Sequence, residues 1–215
     1  KVEVCDKAQW GASDYFDLMD MHVMHGMRKI IQDIEKKSFY GDATASPNEF
    51  DGIYNLVTDY ASANIINASG NQISATYLDT AIQSIIDQGG LPETLFLSAR
   101  DIRQLATVWS TVVTYNDPGA GMTFGYNIAR YMSFAGPLNV MMDTFISTTN
   151  SPNTPYDDAF VLTMGEIALA EAEPMYKLPV YRGLTLAETQ TVVWNCVLEV
   201  RIPQWQSVIK NIGTT

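Results

Sequence analysis

The sequence predicts an α+β fold: a long amphipathic helix near the start, a compact α/β segment in the middle, and a strand-rich second half. Three observations carry this. From Asp14 to Ser38 the apolar residues Phe16, Met19, Val23, Met27, Ile30 and Ile34 recur at steps of three and four, the period of one helix face. Residues 75–106 read as helix, strand and helix in quick succession, which indicates a small α/β layer. From Met122 onward the texture changes to short strand-like runs separated by Gly- and Pro-containing turns.

The elements follow in order. Residues 1–5, Lys-Val-Glu-Val-Cys, alternate as a strand does. No strand precedes them, so they are expected to form a bare edge unless another segment pairs with them. In the long helix, residues 14–38, Ser13 or Asp14 suits the N-cap and Asp17 the positive end. Lys36 and Lys37 suit the negative end, and Gly41 supplies a stop. About 25 residues at 1.5 Å each make a rod of roughly 37 Å. Tyr15, Leu18, Met21, Met24 and Ile31 widen its apolar surface beyond one stripe. Such a helix is either sandwiched in a core or laid against neighbouring molecules.

Residues 50–60 read as a short helix or an extended piece. A helix over 75–87 turns Leu78, Ile82, Ile85 and Ile86 inward and ends at Gly89-Gly90. Residues 94–98 form a buried strand, after which Ser98 and Asp101 make an S-x-x-D capping signal opening a helix through Ala106. Residues 122–133 and 138–142 flank the turn Ala135-Gly136-Pro137 as a hairpin. Residues 148–155 are an exposed loop, 160–162 and 167–170 are short strands, and 191–202 and 206–212 are closing strands broken by Pro203.

Composition limits what the chain can do. Its 47% apolar and 17% charged residues are those of a globular protein. With 13 Lys plus Arg against 24 Asp plus Glu, the formal charge is −11. So acidic a surface repels phosphate and argues against gripping nucleic acid, though not against enclosing it. Cys5 and Cys196 are too few and too distant for a disulfide framework, which favours reduced thiols. No apolar run approaches the roughly 20 residues of a membrane-spanning helix. The chain begins at Lys1 rather than Met, which points to processing or a fragment.

In their order and spacing, five segments resemble the major capsid proteins of tailed bacteriophages with the Hong Kong 97-type fold. They are Arg28-Lys-Ile-Ile-Gln-Asp-Ile-Glu35 with Gly41; Phe50-Asp-Gly-Ile-Tyr-Asn-Leu56; Thr94-Leu-Phe-Leu-Ser-Ala-Arg-Asp-Ile-Arg-Gln-Leu105; Ser133-Phe-Ala-Gly-Pro-Leu-Asn-Val140; and Val197-Leu-Glu-Val-Arg-Ile-Pro-Gln-Trp-Gln-Ser-Val-Ile-Lys-Asn-Ile212. The resemblance implies a long spine helix, a peripheral β-sheet domain and an inserted axial α/β domain. Residues 1–13 would be the remnant of an extended-loop strand, 14–67 and 187–215 the peripheral domain, and 68–186 the axial domain. It also implies N-terminal truncation, because the family's flexible arm and the loop's outgoing strand are missing.

The function implied is that of a capsid subunit, not an enzyme, which self-assembles into an icosahedral head around double-stranded DNA held non-specifically. Its partners would be copies of itself, in pentamers and hexamers, with no membrane and no cofactor. It would be assembled in the host bacterial cytoplasm and reside in the virion. Without arm and loop, this chain is expected to stay monomeric or weakly associated. Subunit contacts are expected at Val2, Val4, Met21, His22, Met24, His25 and Trp205. Two alternatives stand beside this reading: an encapsulin-type shell enclosing protein cargo, and a soluble α/β ligand-binding protein or enzyme with a deep polar-lined pocket.

Other chemistry finds little support. His22 and His25 share a helix face at i, i+3, but no third ligand stands at convincing spacing. Ser98 lacks a G-x-S-x-G elbow, and capping accounts for it. Gly119, Gly121 and Gly125 fit no phosphate-loop pattern. Glu166, Glu171 and Glu173 read as the wet face of strands rather than paired catalytic carboxylates. Trp109 and Trp194 suit a core, whereas Trp205 suits either a core or a subunit contact.

Overall fold

The computed structural model describes residues 2–5, 8, 17–108, 113–115, 128–146, 152, 155–182 and 187–213. The chain divides into two compact units, one of residues 1–35 and 169–197, the other of 36–168 and 198–215.

The first unit holds strand β1 (Val2–Cys5) and most of helix α1 (Leu18–Tyr40). Asp17 caps the helix, its Oδ1 accepting from the amides of Met19 at 2.9 Å and Asp20 at 3.2 Å. The expected caps, Ser13 and Asp14, lie outside the described residues, as do Tyr15 and Phe16. At 23 residues the helix is about 35 Å long. β1 is not a bare edge: it pairs antiparallel with β10 (Ala187–Gln190), Val4 opposite Glu188, and β10 pairs in turn with β9 (Tyr181–Arg182). Val4, Met19 and Val23 form a small core, flanked by Leu18, Met27 and Val192.

Strand β8 (Ile167–Lys177) pairs with β11 (Val192–Val200) in a two-stranded ribbon. Within the first unit, Trp194 donates its indole N–H to Glu171 at 3.1 Å and Asn195 its amide to Glu173 at 3.1 Å. These cross-strand pairs hold a ribbon otherwise largely open to solvent. The expected short strand at 167–170 is therefore the start of an 11-residue one.

The second unit is built on a seven-stranded sheet. Its strands are β2 (Ile65–Asn67), β3 (Thr94–Leu97), β4 (Val113–Tyr115), β5 (Ile128–Ser133), β6 (Gly136–Met142), β7 (Asp157–Leu162) and β12 (Ser207–Ile212). They lie in the order β2-β12-β7-β3-β6-β5-β4. β12 runs parallel to β2, and β3 parallel to β6, with the other pairs antiparallel. The expected hairpin is present as β5–β6, although Gly136 and Pro137 belong to the strand and the turn falls at Phe134-Ala135. Residues 122–127 lie outside the described residues.

Alternation along β7 explains why all six of its residues are buried. Ala159 and Val161 face one core, with Leu78, Ile82 and Ile85 of α3 (Ala75–Ile86) and Leu105 of α4 (Ala99–Val108). Phe160 and Leu162 face the other, with Phe39 of α1 and Ile53 and Val57 of α2 (Ile53–Tyr60). A strand covered on both faces reads as a continuous buried run. The polar members take partners from distant elements: Asp157 Oδ2 accepts from Ser98 at 2.6 Å, while its Oδ1 has none among the described residues, and Asp158 accepts from Tyr40 at 3.1 Å and the Asn211 amide at 3.2 Å.

Two local features have specific physical causes. Gly41 ends α1, but not by a left-handed cap; a Cβ there would run into the Phe50 carbonyl oxygen, and one on Gly52 would meet the Gly41 nitrogen at 2.6 Å. The two glycines let the exit of α1 and the start of α2 touch backbone to backbone, joined by Gly52 N–H to Gly41 O at 2.9 Å. In β12 the register shifts between Ile209 and Ile212, with Asn211 at φ 62°. That bulge lets Ile209 and Ile212 face the same core despite their odd spacing.

Candidate assembly surfaces

Apolar side chains that the two units leave outside their own cores are the natural candidates for contact with other molecules. Single exposed apolar residues are ordinary, whereas contiguous ones mark interaction surfaces. In the first unit, α1 turns Met19 and Val23 inward and leaves Met24 53% and Ile31 50% exposed, seven residues apart on one outward stripe with Arg28 between them. The helix is therefore not engulfed by its own unit. Leu169, Tyr176, Leu178, Val180, Tyr181 and Val197 are also exposed, on or next to β8, β9 and β11.

In the second unit four exposed apolar residues, Met132, Phe134, Met141 and Met142, lie on the β5–β6 hairpin, while Tyr60, Leu91 and Met164 are exposed singly elsewhere. The reason lies in the sheet. Tyr131 and Leu138 point to the helix-covered face and are buried, so their neighbours Met132 and Met141 point the other way. Phe39, Tyr54 and Ile146 cover that second face over Phe96 and Phe160, but not over the hairpin.

The expected contact residues fall into two groups. Met21 is half-buried, and His22, Met24 and His25 are exposed along α1. Val4, by contrast, is 5% exposed within the small core of its own unit. Trp205 packs against the main core, donates its indole N–H to Gln88 O at 2.9 Å, and lies over Gly90. Val2 is placed only by its backbone, opposite Gln190 in β1. Sequence reasoning missed the hairpin cluster. Met132 follows buried Tyr131, but Met141 and Met142 are consecutive and both exposed at the end of β6, where strand alternation alone does not predict exposure on both faces.

The remaining candidates are occupied by structural duties. Ser98 Oγ accepts from the Asp101 amide at 3.1 Å, the expected cap, and donates to Asp157. Both cysteines are free; burial and the neighbouring Glu171 push the Cys196 thiol up. Among the described residues no group of three or more His, Cys, Asp or Glu side chains is arranged to hold a metal ion. Two grooves are open surface features. One of about 500 Å³ runs along α3, lined by Thr76, Asp79, Thr80, Gln83, Ser84, Asp87 and Phe134. One of about 380 Å³ lies on the β8–β11 ribbon beside Glu171 and Asn195.

A chain with a long half-exposed helix, a central sheet clad on two faces, an open ribbon and apolar residues left on its surface has the architecture of a shell subunit. Solved structures share this fold. A Microbacterium phage Oxtober96 structure is 11% identical with a TM-score of 0.67, over 97% of this chain and 69% of that one. The capsid of Myoviridae phage XM1 is 11% identical with a TM-score of 0.58, over 99% and 71%. The SrpI encapsulin complex of Synechococcus elongatus is 9% identical with a TM-score of 0.61, over 99% and 72%. No curated relative matches the chain. The SU10 major capsid protein family matches residues 1–213, and the chain belongs to that family. It is thus a structural subunit of a phage capsid, with the Hong Kong 97-type fold expected from its sequence, and its place is the virion shell.

Proposed function

We propose that the chain builds an icosahedral phage head as pentamers and hexamers of itself and encloses double-stranded DNA without binding it specifically. The observation that carries this is the family match across residues 1–213. Two features support the finer parts. The formal charge of −11 suits a wall that must not adhere to packaged phosphate. The apolar surface on α1 and on the β5–β6 hairpin suits heterologous contacts, the kind that close rings and extend lattices. In this reading Met21, His22, Met24 and His25 meet a neighbouring subunit along α1. Residues 68–186 form an axial domain directed at the ring centre, and 14–67 with 187–215 a peripheral one. No catalytic step is assigned to any residue.

The encapsulin reading shares the fold, and the similarity of the chain to the SrpI complex keeps it in view. The test is expression of the parent protein in a bacterial host, followed by electron microscopy and nuclease treatment of purified particles. Closed shells containing nuclease-protected DNA after packaging support the phage-head reading. Shells that hold protein and never DNA favour the compartment reading, and a soluble monomer at every concentration refutes both.

A further inference from the structure

The end of β12 is tied down by side chains rather than by its strand neighbours alone. Arg100, near the start of α4, donates its Nη2 to Ile212 O at 2.8 Å, and Gln104 donates its Nε2 to Gly213 O at 3.2 Å. The same Arg100 Nη2 lies 2.9 Å from Asp157 Oδ2, the oxygen that also accepts from Ser98. Beside them Asp101, with no exposed surface, receives a long contact from Arg100 Nε at 3.4 Å. Among the described residues, three buried acceptors in this cluster have no hydrogen-bond partner: Asp101 Oδ2, Asp157 Oδ1 and Gln104 Oε1.

A cluster of three orphan acceptors, two of them carboxylate oxygens, is short of donors, and a proton is the simplest one to add. A hydrogen on Asp101 Oδ2 turns one of them from an unpartnered acceptor into a donor and removes the charge whose burial beside Asp157 is costly. We propose that Asp101 carries that proton in the closed state, and that its loss loosens a latch joining α4 to the end of β12. Ionised, Asp101 would repel Asp157 and compete for Arg100, drawing the guanidinium from the Ile212 carbonyl. Burial is the main cause that raises the Asp101 carboxyl from 3.8 to about 7; the charge of Asp157 on β7 adds to it, and Arg100 and Ser98 oppose it.

The sign follows from linkage. Opening hydrates Asp101 and returns its pKa toward the ordinary value, so the open form binds fewer protons. The closed latch is favoured at low pH and weakens as pH rises toward 7, levelling off above that. Each pKa unit that opening removes makes the opening equilibrium about tenfold larger.

The test is amide hydrogen exchange at Asn211, Ile212 and Gly213 between pH 5 and pH 8, normalised for intrinsic exchange, in the unaltered chain and in Asp101→Asn. The expected result is protection falling by about a hundredfold in the former, since about two units of the titration window lie between pH 5 and pH 7, and staying level in the latter, which keeps a neutral side chain at every pH. Parallel profiles in the two proteins overturn the latch. As a check that needs no variant, infrared spectroscopy of the unaltered chain should show a protonated carboxyl at pH 6 that is lost near pH 7. Absence of that band means a buried water serves the orphan acceptors, and the proposal fails.

Discussion

Replacing Phe160 by alanine should strip the second core of the sheet unit of its central ring. Phe160 is fully buried, its ring centroid 5.0 Å from that of Phe39 and 5.8 Å from that of Tyr40, the latter edge-on. Large-to-small changes of a buried phenylalanine cost about 3–5 kcal/mol, and each favourable ring pair about 0.5–1.5 kcal/mol beyond area alone. Two such pairs put this site in the upper part of the range, about 4–5 kcal/mol. With an m-value of roughly 2 kcal/mol/M, the urea midpoint falls by about 2 M. Phe160→Leu retains most of the volume and loses the rings, so it should cost about 1–2 kcal/mol. Urea unfolding followed by circular dichroism measures both. A midpoint drop under about 0.5 M for alanine would refute the central placement of this ring. Equal costs for alanine and leucine would refute the part assigned to volume.

Four further outcomes are expected. Gly213→Ala drives a Cβ into the Gly70 carbonyl oxygen, a backbone atom that cannot swing aside. It should destabilise by about 1–3 kcal/mol, read in the same urea titration. Asn64→Ala removes a buried amide that donates to Gln204 O at 2.6 Å and Gln206 O at 3.0 Å; the two orphaned carbonyls should cost about 2–4 kcal/mol, seen as a lowered melting temperature. Asp20→Asn breaks an exposed pair with Lys177 at 3.8 Å, and should change stability by less than about 0.5 kcal/mol at moderate salt. Met24→Asp, made in the parent protein, alters an exposed helix position: the circular dichroism melt should be unchanged while shell yield by light scattering collapses, and normal shells would remove α1 from the contact surface.

Legibility in the sequence tracks how local the determining physics is. α1 is visible because its face repeats within a few residues, and the Ser98 cap because it acts across three. β7 is visible only from Phe160, since Asp157 and Asp158 look like loop residues. They are buried because Ser98, Arg100, Tyr40 and Asn211 come to them from far away in the chain. β8 reads too short for the opposite reason: Glu171, Glu173 and Pro174 remove the apolar alternation from a strand that, among the described residues, pairs on one side only. The pairing of β1 with β10 joins segments nearly the whole chain apart, and no local pattern encodes such a register. Exposure at the expected contact residues is half legible. The periodicity of α1 places Met24 and His25 outward, but Val4 and Trp205 take partners within the chain that periodicity does not reveal.

The position of β12 carries a consequence for biosynthesis. It sits between β2 and β7, so a ribosome delivers the inner plank of the sheet after the planks on either side. Until residues 207–212 emerge, the nascent polypeptide shows two raw edges, with Ile65 and Ile66 on one and Ala159 to Val161 on the other. Such edges invite chaperones and mispairing. Chains interrupted before β12 are therefore expected to be cleared or to aggregate. A late-arriving strand of this kind delays completion of the sheet until Ile212 has left the ribosomal tunnel.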